Sequence, residues 1–144
     1  MIKQDTIKLL RECDAGIKMG VASIDEVLGF VNHKELKDSL ARCRDQHEKL
    51  RAEIEGLLSE YHHEGKEPTP MAKGMSWVKT NMKLAMDDSD QTIAGLMTDG
   101  CNMGVKTLSM YLNQYQGADQ KSKNAARKLI DLEEKLTADI RKFL

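Results

Sequence analysis

Three charged or titratable residues stand in the chain where apolar ones are expected. Asp14 interrupts the series Ile7, Val21, Leu28. His47 interrupts Leu40, Ile54, Tyr61, and Glu133 interrupts Ala126 and Ile140. Residues seven apart share one face of a helix, so an imidazole and two carboxyls are predicted to point into a core. Left unpaired there, each would be strongly destabilising. Arg44 lies three residues before His47 and shares its side of the helix. Two acids set against two bases predict a charge-paired polar layer of Asp14, Arg44, His47 and Glu133. Nothing in the pattern matches a nucleophile with its base, so no catalytic residue is assigned.

The helix carrying His47 occurs twice. RDQHEKLRAEI begins at residue 44 and aligns without gaps on IDLEEKLTADI, which begins at 130, an offset of 86 that sets His47 on Glu133. GIKMGVASI, from 16, matches GCNMGVKTL, from 100, at an offset of 84. Two matches in the same order at nearly one offset indicate an internal duplication, each unit being a pair of helices.

The elements that must position these residues follow from periodicity and punctuation. A first helix is predicted from about Asp5, as N-cap, to about Val31. A second follows, with Asn32 as N-cap and Glu35 closing a capping box. The turn between them is too short for anything but antiparallel neighbours. HHEGKEPTP breaks the pattern, with Gly65 read as a C-cap and Thr69-Pro70 opening a short helix over 70–86. Asp88 is read as the N-cap of a third helix running to about Tyr115. Gly117 marks a tight turn, and a fourth helix runs from about Asp119 to the end. The expected architecture is therefore all-α, a four-helix bundle over 1–144. Its first antiparallel hairpin spans 5–63, and its second spans 89–144. A long crossover carrying the short helix joins them.

Composition narrows the function. The net charge of −1 implies no general affinity for nucleic acid or anionic membranes. No apolar run resembles a signal peptide or is long enough to span a bilayer. Cys13, Cys43 and Cys101 are odd in number and widely spaced, which argues against a disulfide framework or zinc site and for small core residues in a reducing cytoplasm. Gly16, Gly20, Gly100 and Gly104 weaken their helices. They are read as strips for close helix packing, with a subunit contact or room for a bulky cofactor as alternatives. Met71, Met75, Val78 and Met82 form one face of the short helix, read as a strap on the bundle rather than a peptide- or membrane-binding surface. His62 and His63 complement the dipole at the end of the second helix. A surface metal site there is the weaker reading.

Taken together, the two hairpins, the duplication and the long crossover resemble the ferritin-like superfamily. The likeness is greatest to small bacterial ferritin-like bundles of unassigned function that carry a helix in the crossover. In the metal-binding members a Glu-x-x-His motif on the second and fourth helices, with a glutamate on the first and third, holds two metal ions. Carried over, the histidine position of the second helix is His47, but its glutamate position is Arg44. On the fourth helix the corresponding positions are Glu133 and Ile130. The first helix offers Glu12 or Asp14. The third offers no glutamate where Thr98, Asp99 and Cys101 stand. The resemblance thus implies a degenerate metal centre and no inherited oxidase chemistry. The expected role is non-enzymatic, in interaction or stress, with a homodimer as the expected assembly. The alternative is a protein binding iron, manganese or zinc through His47, Glu133 and Asp14.

Overall fold

The computed structural model describes residues 2–66, 81–82 and 86–144. Among them are four long helices: α1 (Ile2–Leu28), α2 (Lys34–Glu60), α3 (Asp90–Gln114) and α4 (Gln120–Ile140). A short 3₁₀ turn, Arg141–Phe143, follows α4. Of the crossover helix expected over 70–86, all but residues 81, 82 and 86 lies outside the described residues. Residues 81 and 82 are helical, and Met82 is buried.

Hydrogen bonds at the two ends fix the direction of each helix. The backbone N–H groups of Gly117 and Asp119, entering α4, donate to Asp5 Oδ2 at 2.9 Å and Thr6 Oγ1 at 2.8 Å, near the start of α1. At the same pole the Tyr61 hydroxyl, just past α2, donates to Asp119 Oδ2 at 3.0 Å. At the opposite pole the N–H groups of Asn32 and His33, entering α2, donate to the Asp90 carboxylate at the start of α3, both at 2.9 Å. α1 and α4 therefore run parallel, as do α2 and α3, with each hairpin antiparallel within itself. A connection from Glu60 to Asp90 must span the bundle's length, about 40 Å for a helix like α2.

Helix entry departs from the sequence expectation by one residue at two places. His33, not Asn32, caps α2, its Nδ1 accepting from Glu35 N–H. Ser89, not Asp88, caps α3 through the N–H of Thr92. A tertiary contact settles the choice between adjacent cap-competent residues in the first case and a local one in the second. Asp90 already takes the N–H groups of Asn32 and His33, and Asp87 accepts from Ser89 N–H and from the Thr92 hydroxyl. Asp119 caps α4, through the N–H of Ser122. The first helix starts at Ile2 rather than Asp5, whose carboxylate instead receives Gly117. A Cβ on Gly117 would stand 2.7 Å from that carboxylate.

The interior consists of two apolar clusters, one toward each pole. Ile17, Leu50, Leu108 and Leu129 belong to the first. Ile24, Cys43, Cys101 and Leu136 belong to the second. Each helix passes from one cluster to the other, and the residues at the changeover are Gly20 on α1, His47 on α2, Gly104 on α3 and Glu133 on α4.

Candidate functional site: a polar layer between two apolar clusters

His47 is held by its own helix before it meets anything else. Its side chain turns back one turn, so that Nδ1 lies 2.8 Å from the Cys43 carbonyl oxygen and 3.4 Å from Cys43 Sγ. A carbonyl can only accept, so Nδ1 carries the proton and donates to it. That leaves Nε2 facing across the bundle, 3.4 Å from Glu133 Oε1. A carboxylate oxygen likewise accepts. Both ring nitrogens thus face acceptors, and the arrangement is satisfied when the pair holds one more proton than neutral imidazole plus carboxylate. Imidazolium against carboxylate achieves this with no net charge. Burial opposes charge on the ring, but the Cys43 sulfur and the Glu133 carboxylate at its two edges outweigh it and raise the His47 pKa from its ordinary value to about 10. The ring is essentially inaccessible, and the Glu133 side chain keeps 13% exposure.

The two glycines make room for this pair. A Cβ on Gly20 would lie 3.5 Å from the Cδ2 and Nε2 atoms of His47, and one on Gly104 would lie 3.5 Å from the Glu133 carboxyl group. These are ordinary contact distances, so a methyl group fits and a longer side chain does not. The helix strips anticipated as packing surfaces therefore face specific side chains of the partner helices, a relation that glycine spacing alone does not encode.

The remaining members of the expected layer go elsewhere. Arg44 points away from His47 to Asp25 on α1, at 3.0 Å, and to Asp45, at 3.5 Å, on a largely solvated surface. Its guanidinium pKa is raised by the hydrogen bond to Asp25. Asp14 is fully buried but bonds to Lys18 at 2.8 Å and to the backbone N–H of Lys66 at 3.0 Å. Lys66 also pairs with Glu12. The single layer of four predicted charges is thus a pair, His47 and Glu133, with two separate satellites. Arg44 sits sixty degrees around the helix from His47, at the core boundary, where Asp25 competes for it. Asp14 is claimed by the segment that leaves α2.

Cys43 and Cys101, also at this level, were expected only as small core residues, and all three cysteines are free and buried. Burial and then the charge of the Glu133 carboxylate push the Cys101 pKa up. Burial, with Glu12 and Asp14 adding to it, raises that of Cys13 to about 12. Such thiols stay protonated at neutral pH and are poor nucleophiles and poor metal ligands.

These residues do not fit a dimetal carboxylate centre. Arg44 and Ile130 stand where the ferritin-like resemblance would require two ligands, both nitrogens of His47 are engaged, and no three His, Cys, Asp or Glu side chains among the described residues are grouped to hold a metal ion. No helix among them is long and apolar enough to cross a membrane. Neither a protein-family model, nor a curated protein, nor a solved structure matches the chain.

Proposed function

We propose that this chain is a ferritin-like helical bundle whose central layer is a structural ion pair, and that it acts without catalysis, in an interaction or stress-associated role. One observation supports the reading above all. The ring that would be the best metal ligand donates from Nδ1 to the Cys43 carbonyl, and when it is protonated its Nε2–H faces the Glu133 carboxylate 3.4 Å away across the bundle. A metal ion at Nε2 would have to displace that proton and separate it from Glu133. The bacterial, cytoplasmic setting and the homodimer belong to the same proposal, and sedimentation velocity tests the dimer.

The decisive experiment is elemental analysis of protein purified without chelator, then again after incubation with iron(II), manganese(II) or zinc(II) and desalting. The expected result is metal well below one ion per chain in every case. One ion per chain, lost in His47→Leu, would overturn the structural reading in favour of the metal-binding alternative at His47 and Glu133. In that case Asp14→Asn decides whether the third acid takes part.

A further inference from the structure

We propose that residues 61–66 form a latch, closed on α1 by Asp14 and pivoting at His62, which opens without unfolding of the bundle. Every hydrogen-bonding group of one strap residue is taken by α1. The Lys66 N–H donates to Asp14 Oδ2 at 3.0 Å, its carbonyl accepts from Lys18 Nζ at 3.5 Å, and its ammonium pairs with Glu12. Gly65 makes that approach possible. Its φ is not positive, so no special backbone conformation calls for glycine, but a Cβ there would collide with the Asp14 carboxylate. The sequence expectation of Gly65 as a left-handed helix cap is replaced by this role. His62 takes the left-handed position instead, with φ of 60°.

Two features set against these contacts place the closed state near balance. A non-glycine residue in the left-handed region is strained, and here the strain sits at the point where the chain leaves α2. Asp14 is fully buried, yet among the described residues its Oδ1 has no hydrogen-bond partner. A buried oxygen without a donor opposes burial of the whole carboxylate. Opening relieves both at once, because it hydrates Asp14 and frees His62. The helical interior loses nothing, since no member of the latch belongs to either apolar cluster except Tyr61 at its root. Release uncovers a buried acid on α1.

Amide hydrogen exchange reads the latch directly at the Lys66 N–H, with the N–H of Ile54, a fully buried core residue inside α2, as internal reference. In the wild type Lys66 is expected to be protected but to exchange by an opening almost insensitive to low denaturant, while Ile54 exchanges only by global unfolding. Gly65→Ala, which changes the strap and pushes it off the Asp14 carboxylate while leaving every residue of α1 in place, should speed Lys66 exchange by roughly tenfold or more and leave Ile54 unchanged. If Gly65→Ala does not fold, the denaturant dependence in the wild type still decides. A Lys66 amide exchanging at the unprotected rate would show that no latch exists. One exchanging in step with Ile54 would show that the strap opens only with the bundle.

Discussion

The two hairpins carry the same design with different occupants. Gly20 faces His47 in the first, and Gly104 faces Glu133 in the second, at repeat-equivalent positions. Duplication alone would put like against like at the centre, two imidazoles or two carboxylates. This chain instead carries complementary groups there, His47 and Glu133. Elsewhere the halves have drifted further. Asp25 and Arg44 form an ion pair across the first hairpin, while their counterparts Ser109 and Ile130 cannot. Asp14 is a carboxylate bonded to Lys18 and to the Lys66 N–H, and its counterpart Thr98 is a hydroxyl, though among the described residues both keep a buried oxygen without a partner. The difference teaches that the centre constrains the two halves jointly, whereas the flanks are free to change singly.

Removing one side of the central pair is the most severe way to break this complementarity. His47→Leu leaves the Glu133 carboxylate largely buried without its partner, and a loss of about 3 kcal/mol is expected in urea melts. Glu133→Leu should cost a similar amount. The double substitution should cost clearly less than the sum, because two leucines continue the surrounding apolar stripes. Additive small effects would show that the pair contributes nothing jointly. The pH profile tests the same point. The His47 pKa is raised on folding, so its stabilisation is fully present below the unfolded value near 6.5 and is lost as pH rises through about 10. Wild-type stability should therefore fall over that interval, and His47→Leu should flatten the fall.

The glycines test whether the two halves share one rule. Gly20→Leu and Gly104→Leu should each destabilise by roughly 2 kcal/mol, since the side chain meets His47 or Glu133. Gly20→Ala and Gly104→Ala should instead stabilise, by up to about 1 kcal/mol, because a methyl group fits and alanine is the better helix former. A loss of melting temperature on alanine substitution would mean that the helices approach more closely than the contact distances indicate. The smallest effect belongs to the surface. Arg44→Ala removes a pair that exists in one hairpin only, and the expected change is under about 0.5 kcal/mol, since both partners are substantially solvated. A loss as large as that of His47→Leu would restore Arg44 to the central layer.

Much of this was legible in the sequence because periodicity and repetition are backbone properties. The four helices, their hairpin pairing and the inward turn of His47 and Glu133 all follow from spacing. Where side chains choose among partners, spacing is silent. Nothing local tells Arg44 to prefer Asp25, which lies nineteen positions away on another helix. Asp14 was correctly placed inside, but its partner is a backbone N–H brought there by a strap that reads as an ordinary loop. The caps show the same limit in miniature, with Asn32 and His33, or Asp88 and Ser89, equally able until Asp90 and Asp87 decide.

The contacts that enter α2 and α4 bear on how the chain acquires its structure. Asp90 of the second hairpin receives the first N–H groups of the first hairpin's second helix. Asp5 and Thr6 of the first hairpin receive those at the entry to α4. Each hairpin therefore depends on the other to complete a helix terminus, across sequence separations of 57 to 113 residues. Neither is expected to be self-sufficient as a folding unit. Unfolding should be one cooperative transition for both, and a mutation at either entry should lower the stability of amides in both hairpins together. Through these exchanged termini, two hairpins of similar sequence are expected to behave as a single cooperative object.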